Sequence, residues 1–164
     1  MFNGWLSKNK VTAVAIASPL TGEAVPLTEV PDEAFAGKYM GDGVAIKPGE
    51  GKLVAPFDGV IAHLIDSMHA VIIEHASGLQ LLVHIGINTV ALQGKGFKAF
   101  VASGDKVATG QTLIEFDPEL IQAEGYPLIT PVVIANQEIT ERLEYDYKTV
   151  VAGEPALLQA VLKK

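Results

Sequence analysis

The sequence predicts an all-β fold, an antiparallel β-sandwich or barrel with one or two short helices. Sixteen glycines and nine prolines punctuate short Val/Ile/Leu-rich runs at close intervals, the pattern of many short strands joined by tight turns. Helical signals are sparse. Residues AVILMFWYC make up 49% of the 164 residues and charged residues only 19%, enough apolar material for one sizeable core and too much for a disordered chain.

In chain order, strands are expected at Val11–Ala17, Gly43–Ile46, Lys52–Ala55, Gly59–Ile65, Ala70–His75, Leu79–Ile85, Thr112–Phe116, Val132–Ala135 and Ala156–Leu162. Pro31 to Phe35 supports one helical turn. Asp117-Pro118-Glu119 supports a better helix, with an N-cap aspartate, proline at the first helical position and an acid near the positive end of the dipole. That helix should stop near Gly125 and Pro127. Two internal echoes suggest a duplicated β unit. Ser18-Pro19-Leu20-Thr21-Gly22 is similar to Ala55-Pro56-Phe57-Asp58-Gly59, and Val107-Ala108-Thr109-Gly110-Gln111 to Val150-Val151-Ala152-Gly153-Glu154. Chance likeness between Gly-rich turns is an equally good account.

Residues 1–10 read as a flexible tail and 11–164 as a single domain. Phe2, Trp5 and Leu6 with Lys8 and Lys10 also allow a small membrane-touching helix, but ten residues suit a frayed tail better. The first ten residues show no signal-peptide pattern and no run approaches a spanning length, so a cytoplasmic protein is expected. A formal charge of −7 disfavours nucleic acid and suits basic protein partners. With no cysteine in the chain, disulfide and thiolate chemistry are excluded.

Four histidines, His63, His69, His75 and His84, are the groups that ordinarily titrate near neutrality. His84 interrupts the otherwise apolar run Leu81-Leu82-Val83-His84-Ile85-Gly86, and His69 opens the preceding strand. If Ser77-Gly78 is a two-residue hairpin loop, His69 faces Gly86 and His84 faces Val71. The two histidines are then diagonal neighbours about 7 to 8 Å apart at the backbone, on a face shared with Leu82 and Ile73. A three-residue loop sends them to opposite faces. Paired imidazoles on an apolar patch can carry a phosphoryl group. One attacks phosphorus while its other nitrogen is held, the second donates to the phosphoryl oxygens, and the apolar surround protects the N–P bond from water. Gly86 leaves room for the donor. Taken singly, either histidine is as well explained as a satisfied core or rim residue. His63 and His75 lack such context and read as surface residues, with His75 opposite Gln80.

The run His84-Ile85-Gly86-Ile87-Asn88-Thr89-Val90, continuing through Leu92, Gly94 and Gly96-Phe97, resembles the glucose-type enzyme IIA family of the bacterial sugar phosphotransferase system. Supporting matches span nearly the whole chain: Val30-Pro31-Asp32 with Phe35, Gly41-Asp42-Gly43 with Ala45-Ile46-Lys47-Pro48, Ala55-Pro56 with Asp58-Gly59, His69-Ala70, Ile114-Glu115-Phe116-Asp117, and Thr130-Pro131-Val132-Val133-Ile134. The resemblance implies a barrel-sandwich hybrid with a duplicated motif. It implies that His84 takes a phosphoryl group on Nε2 from the phosphocarrier HPr and passes it to a cysteine of a permease IIB domain. His69 assists, and Ser67 orients it. Phe35, Met40, Ile65, Leu82 and Val90 match the family's apolar partner contacts. No cofactor is required, since the phosphoryl group is carried covalently, and no metal ligand set is expected. At Asn88 the family usually has aspartate; asparagine keeps the shape, loses the charge and speaks against a zinc role.

Three other readings compete. A zinc-binding β-fold hydrolase needs three protein ligands, and Glu74 alternates away from the histidine face. A biotinyl- or lipoyl-type carrier is suggested by Gly104-Asp105-Lys106-Val107, but such carriers place lysine at a hairpin tip, whereas the tip here is Ser77-Gly78. A regulatory binding module, signalling through its phosphorylation state, is compatible with the relay and can coexist with it.

Overall fold

The computed structural model describes residues 12–155 and 157–164. The amphipathic or frayed tail expected at residues 1–10 lies outside them, as do Val11 and Ala156.

Fourteen strands are present among the described residues: β1 (Ala13–Ile16), β2 (Gly22–Val25), β3 (Gly43–Pro48), β4 (Lys52–Val54), β5 (Gly59–Leu64), β6 (Ala70–His75), β7 (Gln80–His84), β8 (Phe97–Ala99), β9 (Lys106–Val107), β10 (Thr112–Phe116), β11 (Thr130–Ile134), β12 (Thr140–Tyr145), β13 (Thr149–Val150) and β14 (Leu158–Leu162). Every pairing is antiparallel. An eight-stranded sheet runs β9-β5-β6-β7-β11-β3-β2-β13, and two three-stranded sheets run β4-β10-β8 and β12-β14-β1. The sandwich expectation holds, without closure into a barrel.

The central strands of the large sheet are apolar on both faces because both faces are covered. Val71, Ile73, Leu81, Val83, Val44, Ile46, Val132 and Ile134 face the main core. Ala70, Leu82, Ala45 and Val133, with the half-buried Ile72, face a second cluster that Leu27, Val30, Phe35 and Ile87 cover from outside. Phe35 is delivered to that outer layer by α1 (Glu33–Ala36), a single turn whose N-cap Asp32 accepts the Ala34 N–H at 2.9 Å. The second helix, α2 (Pro118–Ala123), is capped as the sequence predicts. Asp117 accepts the Leu120 N–H at 3.1 Å, and Gly125 leaves the helix at φ +92°.

The two internal echoes are structural equivalents. Val150 pairs with Gly22 as Val107 pairs with Gly59, at the two ends of the large sheet. Gly153 N–H donates to Ser18 O and Gly110 N–H to Ala55 O. The reciprocal bonds Ala17 N–H to Pro56 O and Val54 N–H to Pro19 O join the two units. Even the side chains correspond: Ala152 N–H donates to Thr21 Oγ1, and Thr109 N–H to Asp58 Oδ1. The strand order is accordingly symmetrical about the β7–β11 pair.

The sequence reading missed β2, β8, β9, β12 and β13. Strands β9 and β13 hold two residues each and are defined by partners remote in the chain. β12, Thr-Glu-Arg-Leu-Glu-Tyr, has no buried residue and looks like surface.

Candidate functional site

The β6–β7 loop differs from the two-residue turn expected. Gly78 N–H donates to His75 O and His75 N–H to Leu79 O, enclosing three residues, Ala76 to Gly78. Gly78 takes the left-handed conformation at φ +94°, as such loops require. The register therefore pairs Ala70 with His84, Ile72 with Leu82 and Glu74 with Gln80. Ile72, not Ile73, shares the face of Leu82, and His75 does not oppose Gln80.

Strict alternation in that register would part His69 from His84, yet their rings meet. The centroids lie 4.8 Å apart, edge to face at 79°. The reason is local. A tight turn closes from Met68 N–H to Ile65 O, and Met68 sits at φ +62°. β6 begins only at Ala70, so His69 stands outside the pleat and turns toward His84 while its carbonyl still accepts the Ile85 N–H at 2.7 Å.

His84 ends β7 and is part-buried, with the Phe35 ring 5.2 Å away. In the register pairing Val132 with Val83, Pro131 would stand opposite His84, and the ladder ends there; proline has no N–H to offer it. His84 Nδ1 lies 2.7 Å from Gly86 O. A carbonyl can only accept, so Nδ1 carries the proton and Nε2 of the neutral ring keeps its lone pair. Burial pushes the His84 pKa down, opposed first by the hydrogen bond to Gly86 O and more weakly by the Asp32 carboxylate. His69 is 3% exposed. Burial, and secondarily the charge His84 would carry, lower its pKa to about 4. Its Nδ1 is 2.6 Å from Ser67 Oγ. Both rings are neutral at physiological pH.

This sets a pH dependence for stability. A histidine with a lowered folded pKa binds protons more readily when unfolded, so its stabilisation is present above about 6.5 and is lost as pH falls toward about 4. The urea midpoint is expected to drop across that window. His69→Gln, which cannot take the proton, should flatten the slope there; an unchanged slope would show that His69 is not the group responsible.

The remaining candidates are distributed as follows. Met40 and Val90 are 44% and 57% exposed, and Ile65 is half-buried. Phe35 and Leu82 are buried in the outer cluster, which brings the Phe35 ring beside His84. Asn88 is exposed at φ +62° and precedes a 3-10 turn, Thr89–Leu92; asparagine tolerates that conformation. Gly86 is at φ +71°, and a Cβ there would meet Pro127 O and Thr89 Cγ2, each at 2.7 Å. Glycine here lets the chain turn tightly against the Pro127 backbone and the buried Thr89. His63 is exposed. His75 is half-buried against Phe57, with Nδ1 bonded to Ser77. Among the described residues no three His, Asp or Glu side chains converge, and no helix is long and apolar enough to cross a membrane.

An antiparallel sandwich of duplicated design, with two touching neutral imidazoles set beside apolar side chains, defines the class of IIA phosphocarriers. The family model for the phosphoenolpyruvate-dependent sugar phosphotransferase system, EIIA 1, matches residues 14–140, and the chain belongs to that family. It is 40% identical over 149 residues to the PTS system glucose-specific EIIA component of Oceanobacillus iheyensis, covering 90% of each chain. It is 44% identical over 145 residues to the PTS system glucose-specific EIICBA component of Staphylococcus saprophyticus, covering 88% of this chain but spanning only 21% of that longer protein. The solved glucose permease IIA of Mycoplasma capricolum superposes with a TM-score of 0.85 at 29% identity, over 90% of this chain and 96% of that one.

Proposed function

We propose that His84 Nε2 accepts a phosphoryl group from phospho-HPr and passes it to a cysteine on the IIB domain of a sugar permease, glucose being the first sugar to test. The observation that carries this reading is the His84 Nδ1–H bond to Gly86 O. It leaves Nε2 as a lone-pair nucleophile beside a second neutral imidazole. In the forward step the Nε2–P bond forms as the bond from phosphorus to the donor breaks. In the second step the IIB thiolate attacks the same phosphorus and His84 leaves with its lone pair restored.

His69 is assigned the stabilising part. With the Ser67 hydroxyl donating to His69 Nδ1, the proton resides on His69 Nε2, placed to donate to phosphoryl oxygens as their charge develops. The apolar side chains beside the two rings keep water from the N–P bond. Met40, Val90 and the half-buried Ile65 are assigned apolar contact with the partners, and the acidic surface complements basic donors.

The test mixes phosphoenolpyruvate, enzyme I, HPr and this protein and follows intact mass. The wild type is expected to gain one acid-labile, base-stable phosphoryl group. His69→Gln should still load from HPr but transfer to IIB slower by about 10²-fold, the scale of a lost oxyanion donor. A His69 variant that cannot load, alongside a His84 variant that can, reverses the two roles.

A further inference from the structure

Four polar side chains are buried among the described residues: Ser18, His69, Thr89 and Thr130. Two of them converge on one peptide. Thr89 Oγ1 donates to Ile85 O at 2.6 Å, and Thr130 Oγ1 accepts the Gly86 N–H at 3.3 Å. These are the two polar ends of the Ile85–Gly86 peptide unit, and both hydroxyls are fully buried. Thr130 is itself aimed by donating to Leu128 O at 2.8 Å. The next peptide unit is held as well, because Ile87 N–H donates to Pro127 O at 3.1 Å. The Gly86 carbonyl that receives the His84 proton belongs to that second unit.

We infer that Thr89 and Thr130 are positioning residues for the phosphoryl-transfer reaction, a hydroxyl pair that sets the His84 tautomer through the Gly86 peptide. The inference rests on the proposed role of His84 and adds to it the reason that role is available. His84 Nδ1 stays protonated only while Gly86 O points at it. Gly86 is the residue least able to hold a direction by itself, since its backbone has the widest conformational freedom. Anchoring both ends of the preceding peptide from a different strand and from the following 3-10 turn removes that freedom. The Pro127 bond polarises the next unit, so that its carbonyl accepts more strongly. The arrangement parallels histidines whose second nitrogen is oriented by an outer partner, where losing the partner costs about 10- to 100-fold.

Valine keeps the shape of threonine without the hydroxyl, and serine keeps the hydroxyl. Long-range ¹H–¹⁵N spectra of the His84 ring read the tautomer without any phosphoryl donor, and loading from phospho-HPr reads the consequence. Thr130→Val and Thr89→Val are expected to raise the Nε2–H fraction of His84 and slow loading by about tenfold, and Thr130→Ser and Thr89→Ser to restore both. Thr21→Val, which removes a hydroxyl bonded to Ala152 N–H at the far edge of the sheet, should change neither. Folded valine variants with the wild-type tautomer and loading rate overturn the inference. Should the valine variants fail to fold, amide exchange in the wild type decides, because an unprotected Gly86 N–H is incompatible with the Thr130 bond. A wild type that never loads overturns the proposed function instead, and leaves the tautomer result standing on its own.

Discussion

Replacing His84 by alanine is expected to abolish phosphoryl loading while leaving the fold intact. The side chain lies at the end of β7 and is only part-buried, so its loss should cost about 1 kcal/mol or less. The chemistry has no substitute. His69 is the nearest ring, but its environment holds Nδ1 against Ser67 and buries it to 3% exposure, which keeps a donor from reaching it in line. Loss of a nucleophile commonly costs several orders of magnitude, so the rate should fall on the order of 10³-fold or more, below detection by intact mass. Circular dichroism should show a cooperative melting transition shifted by about 4 °C or less. His63→Ala and His75→Ala should load as the wild type does. Phosphoryl gain in His84→Ala, or a label mapped to His69 or Ser67, would refute the assignment.

The second large effect is expected at Gly86, on both stability and activity. Gly86→Ala places a Cβ at φ +71° and within 2.7 Å of a backbone oxygen, Pro127 O, that cannot swing aside. The left-handed conformation alone costs roughly 1 to 2 kcal/mol for a residue with a side chain. The overlap has to be relieved by moving the Pro127 segment or the turn itself, bringing the total to about 2 to 4 kcal/mol. Any such movement turns the Gly86 carbonyl away from His84 Nδ1, so loading should fall in step. Gly78→Ala separates the two contributions. Gly78 is also left-handed, at φ +94°, but a Cβ there meets nothing within 4 Å, so only the conformational cost of about 1 to 2 kcal/mol is expected, with loading unchanged. Urea midpoints of the two variants provide the comparison. A Gly86→Ala protein as stable as Gly78→Ala would show that the turn relaxes freely.

Much of the architecture was legible because its signals are local. Asp117-Pro118 announced α2 through a cap and a fixed φ that depend on neighbouring residues only. The runs Ala70–His75 and Thr112–Phe116 matched their strands end to end, since an apolar run bounded by turn residues has few other ways to satisfy its backbone. The repeated Pro-x-x-Gly turns marked a duplication that the backbone bonds of Ser18 and Ala55 make concrete. Register was different. Ser77-Gly78 fits equally as a complete two-residue loop or as the last two residues of three, and one residue decides which face His84 occupies. The contact between the histidines survived the wrong register only because Met68 adopts a left-handed conformation just before β6, which no run of apolar residues announces.

The amino-acid order alone determined that this chain builds a β-sandwich, carries two histidines in adjoining segments, and sets them among apolar neighbours, because composition, turn chemistry and alternation act over a few residues. Only the tertiary structure decided which nitrogen of His84 is free, how His69 reaches it, and that Thr89 and Thr130 hold the Gly86 turn. Those outcomes depend on hydrogen bonds whose partners stand as much as 44 residues apart, and such bonds form only once packing has excluded water and left each buried donor and acceptor a single partner.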